Sequence, residues 1–94
     1  MYHDGEITLY VMNLPMNVEY HSLRDIFSSF GPVAHVFLKK DKATQKCTGS
    51  AYVTFLRESD GLKAIQQLEG ANYKGNILRV REALHSSARM FHQQ

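Results

Sequence analysis

Tryptophan is absent from these 94 residues, cysteine occurs once and proline twice. The single cysteine, Cys47, excludes an internal disulfide framework and any multi-cysteine metal site, and it fits a reducing compartment. No apolar run approaches the roughly 20 residues of a membrane-spanning helix, and the N-terminus lacks the apolar core of a signal peptide, so no membrane partner is expected. The five histidines (His3, His21, His35, His85 and His92) have no close metal-ligand spacing, and neither a metal nor a cofactor is expected. Charge of one sign is also lacking. A net +2 is too small to name a partner, although its distribution along the chain is uneven.

What is present is alternation. In Thr48-Gly49-Ser50-Ala51-Tyr52-Val53-Thr54-Phe55, small or apolar residues take every second place and hydroxyl-bearing residues the others. A period of two gives a strand with one dry and one wet face, and it puts Tyr52 on the wet face. An exposed ring in mid-strand is either a β-former with its hydroxyl in water or a platform for a flat ligand. Ile7 to Met12 repeats the pattern, with Ile7, Leu9 and Val11 inward and Tyr10 on the non-core side. In a strand from Val33 to Lys39, Val36 and Leu38 inward leave His35, Phe37 and Lys39 outward. Three strands thus offer a ring on the same kind of face.

The helices read as clearly. Leu23, Ile26, Phe27 and Phe30 form one apolar stripe of a helix from about Glu19 to Phe30, with its cap at Asn17 or Glu19 and a stop at Gly31-Pro32. A second helix, about Ser59 to Glu69, carries Gly61, Ala64, Ile65 and Leu68 on its stripe. Gly61 there costs about 1 kcal/mol of helix propensity and suggests a close approach to the sheet. Gly70 and Gly75 bracket the turn that follows. A last strand, about Ile77 to Glu82, buries Leu78 and Val80 and exposes Arg79 and Arg81. Lys40 to Cys47 is a flexible, lysine-rich hairpin connection, and Cys47 at its end, beside Lys46, is a candidate for mild thiol reactivity. The order is βαββαβ, an α+β sandwich whose four-stranded antiparallel sheet has both helices on one face. A lead of residues 1–6 precedes the domain at 7–83. In the tail at 84–94, Leu84, Ala88 and Phe91 have helical spacing, and this segment is expected to fold over the open sheet as a short helix.

Two signatures carry a resemblance. Leu9-Tyr10-Val11-Met12-Asn13-Leu14 resembles RNP2 of the RNA recognition motif (RRM), and residues 48–55 resemble RNP1, K/R-G-F/Y-G/A-F-V-x-F/Y. Leu14-Pro15, Phe30-Gly31-Pro32 and the Ala64-Ile65 pair extend the likeness to about residues 7–83. The resemblance implies a ferredoxin-like sheet in the order 4-1-3-2, with the first and third strands central. It also implies a module in which Tyr10 and Tyr52 stack on bases of single-stranded RNA; the chain is expected to be a monomer. Two positions depart from RNP1: its leading cation is Thr48 here and its first ring is Ser50. Some family members with such departures bind a protein partner on the sheet, or cover it with their own tail, so a protein-interaction role is the alternative. A nuclear or nucleocytoplasmic setting in RNA processing is the expected context.

The residues offer compensation. Phe37 lies beside residues 48–55 and is placed to supply the missing ring. Residues 33–48 and 74–83 hold seven Lys/Arg against two acids, whereas the helical segments 19–30 and 57–70 hold three against five. A polyanion therefore prefers the sheet side. The candidate RNA-binding residues are Tyr10, Met12, Asn13, Phe37, Lys39, Lys40, Lys42, Lys46, Ser50, Tyr52, Arg79 and Arg81. No catalytic residue is expected. Acylphosphatase-like enzymes and metal chaperones share the element order, but Asn13 to Val18 holds neither the arginine of the one nor the cysteine pair of the other.

Overall fold

The computed structural model describes residues 5–83, so the expected tail helix at Leu84, Ala88 and Phe91 lies outside the described residues. Strand β1 (Ile7–Met12) is followed by helix α1 (Tyr20–Ser28), strands β2 (Val33–Lys40) and β3 (Cys47–Phe55), and helix α2 (Glu58–Leu68). A two-residue hairpin, β4 (Asn72–Tyr73) and β5 (Asn76–Ile77), then precedes β6 (Arg79–Glu82). The main sheet runs β2-β3-β1-β6, all neighbours antiparallel. With β6 as the fourth strand, this is the 4-1-3-2 order.

One side of the sheet is covered. Ile7, Leu9 and Val11 of β1, Ala51, Val53 and Phe55 of β3, and Val80 of β6 are buried together with Leu23 and Phe27 of α1 and Ala64 of α2. The stripes read from the sequence are the ones packed, with Ile26, Phe30, Ile65 and Leu68 closing the rim of the core. Gly61 is buried in α2 against β1, and a Cβ at that position would overlap Ile7 Cγ2. The close approach inferred from a glycine on an apolar stripe is therefore real.

Four local readings need correction. The last strand starts at Arg79 rather than Ile77, because Ile77 pairs with Asn72 in the small hairpin. Both helices shift slightly: α1 is shorter than Glu19 to Phe30, and α2 begins and ends one residue earlier than Ser59 to Glu69. Glu19 occupies the N-cap of α1 in extended conformation without a side-chain cap bond. Cys47 is not in a loop. It is the first residue of β3 and only 4% exposed, so its thiol is a core group screened from reagents.

Candidate nucleic-acid interface

The open face of the sheet is built by the second phase of the alternation. Tyr10 pairs with Tyr52 across β1 and β3, Phe37 pairs with Tyr52 across β2 and β3, and Tyr10 pairs with Arg81 across β1 and β6. One transverse row therefore reads Phe37, Tyr52, Tyr10, Arg81. The Tyr10 and Tyr52 rings stack with centroids 4.9 Å apart and planes at 24°, while Phe37 and Tyr52 lie 6.4 Å apart at 30°. Phe37 is 60% exposed, and the two tyrosines are half-buried by one another and their neighbours.

The flanking rows are polar. On one side Thr8 and Thr54 share a hydroxyl hydrogen bond of 2.8 Å, and His35 pairs with Thr54. On the other side Met12 pairs with Arg79, and Tyr10 Oη donates to Ser50 Oγ at 3.4 Å. Thr8, Thr54 and His35 were not among the residues picked from the sequence. Alternation alone puts them on this face, but threonine and histidine on a sheet carry no signature of their own.

The backbone around residues 48–50 explains why glycine sits there. The pairing of β2 with β3 shifts between Leu38–Ala51 and Lys40–Cys47, and Gly49 in this irregular stretch has φ +96°. Leu14 N–H donates to Gly49 O at 2.9 Å, and a Cβ on Gly49 would stand 3.2 Å from Leu14 O. A side chain would be strained both in dihedral and in space. The irregularity also carries Thr48 outward, where its hydroxyl donates to Lys39 O at 3.3 Å.

The lysine-rich connection is a closed hairpin, more structured than its composition suggested. Asp41 Oδ1 accepts from the N–H groups of Ala43 and Thr44 at 2.7 and 3.1 Å, and Asp41 N–H donates to Lys46 O at 2.8 Å. This is the Asx-type turn that an aspartate at a loop start favours. Lys39, Lys40, Lys42 and Lys46 are all exposed around it.

Two candidate residues are already engaged. Asn13, at φ 67°, donates its amide to Ile77 O at 2.8 Å, and Asn76 donates to Asn13 O at 3.0 Å. These reciprocal bonds tie the end of β1 to the β4–β5 hairpin. Arg79 Nε donates to Glu69 Oε2 at 2.9 Å, and Glu69 Oε1 accepts the Val80 N–H at 2.6 Å. Glu69, just past α2, thereby satisfies the outer edge of β6 and holds Arg79 at the rim, leaving Arg81 as the arginine of the aromatic row.

The Val80 N–H and, next, the Arg79 guanidinium hold the Glu69 carboxyl below its ordinary value near 4.5. A depressed folded-state pKa contributes stability above the unfolded value, and that contribution fades as pH falls through the folded one. Glu69→Gln is therefore expected to melt below wild type at pH 7, with the gap narrowing as pH drops below about 4.5. Thermal melts from pH 3 to pH 7 read this directly, and a gap independent of pH contradicts it.

Two signatures on adjacent central strands, with their rings in register on one open face, decide the family. The RNA recognition motif model matches residues 9–79. The chain belongs to the RNA recognition motif family. A eukaryotic translation initiation factor 3 subunit from Aspergillus oryzae is 40% identical to it over 77 residues, which is 82% of this chain and 27% of that protein. The chain thus spans little more than a quarter of such relatives. Among solved structures, a Sex-lethal protein/RNA complex superposes with a TM-score of 0.79 at 30% identity, covering 82% of this chain and 47% of that one. The RNA15 RRM superposes at 0.82 over 90% of this chain and 98% of its own, at 20% identity, a likeness of fold alone. Among the described residues, no group of three or more His, Cys, Asp or Glu is arranged to hold a metal ion, and no helix is long and apolar enough to cross a membrane.

Proposed function

We propose that this RRM is a binding module for single-stranded RNA, not an enzyme, and that it stacks bases on its sheet face. The observation that carries the reading is the row of Phe37, Tyr52 and Tyr10 standing in register on the one face the helices leave open. Rings so placed offer π-faces to any base, and a base stacked on a protein aromatic is worth about 1–3 kcal/mol by alanine substitution. Arg81 closes the row at β6. Lys39, Lys40, Lys42 and Lys46 supply phosphate contacts from the β2–β3 hairpin, with Met12, Asn13, Ser50 and Arg79 along the same end of the sheet. Ser50 in place of a ring keeps the isolated domain's affinity in the micromolar range or weaker.

Translation initiation, rather than nuclear RNA processing, is the setting that the relatives favour, since they are components of an initiation factor. Belonging to a multi-component factor also favours a second reading, in which a protein partner takes the sheet face. Titrating the isotope-labelled 94-residue chain with a pool of random octamer RNA distinguishes the two. Amide shifts centred on β1 and β3 support RNA binding, and no shifts at millimolar RNA would leave the protein-partner reading in possession of the site.

The lysines allow a sharper check. Each phosphate-bound lysine removed should reduce the slope of log affinity against log salt by about 0.7, the single-strand value. The Lys40→Ala/Lys42→Ala variant is therefore expected to bind every octamer more weakly and with a shallower slope. An unchanged slope removes the hairpin from the interface.

A further inference from the structure

Arg79 and Arg81 flank buried Val80 on β6, so both side chains start on the open face of the sheet. They end in different places. Arg81 pairs with Tyr10 in the aromatic row, whereas Arg79 pairs with Met12 and donates its Nε to Glu69 Oε2 at 2.9 Å. The second bond of Glu69 fixes where that carboxylate lies. Its Oε1 accepts the Val80 N–H at 2.6 Å, and β6 is an outer strand whose one neighbour, β1, lies on the other side. The carboxylate therefore sits beside the outer edge of β6, and it draws the Arg79 guanidinium away from the face and round to that edge.

This pairing has an electrostatic consequence. The Arg79 and Glu69 side chains are 55% and 40% exposed, so the guanidinium is within reach of a phosphate. Paired with a carboxylate, however, it presents a polyanion with no net positive charge at that edge. An exposed ion pair is also weak, so the restraint is one that a single change can release.

Resting on the reading of the sheet as an RNA-binding face, we propose that Glu69 is a positioning residue that withholds Arg79 from the phosphodiester backbone of single-stranded RNA. Arg81 supplies the standing positive charge of β6, and Arg79 a second one that Glu69 restrains. The affinity of the domain is therefore set below what its arginines allow.

Glu69→Gln isolates the charge, because the amide oxygen still accepts the Val80 N–H while the attraction for Arg79 is gone. The experiment measures affinity for 5′-fluorescein random octamer RNA by anisotropy across a salt series. It compares wild type, Glu69→Gln, Arg79→Ala, Arg81→Ala and Glu69→Gln/Arg79→Ala, with amide spectra to verify each fold. Glu69→Gln should tighten binding about 2- to 5-fold, the size of one exposed ion pair released. Its slope of log affinity against log salt should steepen by about 0.7, one further phosphate contact. Arg79→Ala should cost less than Arg81→Ala in wild type, and about 2- to 5-fold more in the Glu69→Gln background. A purely structural Glu69 would lower the melting temperature without tightening RNA binding. Unchanged or weaker binding by folded Glu69→Gln, or an Arg79→Ala cost equal in both backgrounds, overturns the proposal and leaves RNA binding standing. Should Glu69→Gln fail to fold, an Arg79→Ala loss as large as that of Arg81→Ala overturns it and a smaller one upholds it. No binding by wild type overturns the RNA-binding reading, and the role of Glu69 falls with it.

Discussion

Tyr52→Ala is expected to weaken RNA binding about 5- to 150-fold, the largest loss of any single substitution on the sheet face. Tyr52 sits centrally in the row, 4.9 Å from Tyr10 and 6.4 Å from Phe37, so its removal takes a π-face from the site and unseats both neighbours. Tyr10→Ala removes one face and leaves the Phe37–Tyr52 pair intact, so it should cost less. Neither change unfolds the domain. The Tyr10–Tyr52 contact is worth about 0.5–1.5 kcal/mol of stability as an aromatic pair, against about 5–15 kcal/mol for a typical domain. Affinity by anisotropy together with a thermal melt separates the effects. Equal affinity for Tyr52→Ala and wild type, with the fold retained, contradicts the expectation.

The fold was legible because two periods were clean. Period two in β1 and β3 set which residues face the core, and the stripes Leu23, Ile26, Phe27, Phe30 and Gly61, Ala64, Ile65, Leu68 set the covered side of the sheet. The face bearing Tyr10, Tyr52 and Phe37 followed from the same alternation without any reference to ligand. Sheet order needed the paired signatures, since element order alone does not say which strands are central.

What stayed illegible depended on contacts distant in sequence or on very short elements. A two-residue strand has no period to detect, so Asn72–Tyr73 read as part of a turn and Ile77 as the start of the last strand. Their pairing, and the Asn13–Asn76 clamp 63 residues apart, exist only once the chain has closed. Cys47 was misplaced for a related reason. The polar run before it reads as a loop to its end, yet the hairpin closed by Asp41 returns the chain to the sheet one residue before the alternating stretch begins. Arg79 and Arg81 look equivalent in sequence, alternating with buried residues on one strand. Glu69 makes them different, and nothing in a lone glutamate after a helix announces that it will reach an edge strand.

Gly61→Val is expected to be the most damaging substitution outside the ring row, and its effect falls on stability. Glycine in a helix is normally a defect, and replacing it recovers about 0.5–1 kcal/mol of propensity. At this position the added Cβ would overlap Ile7 Cγ2 and lie 3.5 Å from Phe55 Cδ1. Ile7 cannot swing away, because it is β-branched, stiff at χ1 and 2% exposed in the centre of the core. Helix and strand must therefore separate, and overpacking of this kind costs about 1–3 kcal/mol, which outweighs the propensity gained. For a domain of this size that is a fall of roughly 4–8 °C in melting temperature for each kcal/mol lost. Leu62→Ala, at the exposed next position in the same helix turn, serves as the control and should change little. Because α2 lies on the face away from the rings, RNA affinity of the folded fraction should be unaffected. A Gly61→Val variant as stable as wild type would mean that α2 and β1 are not packed this closely in solution.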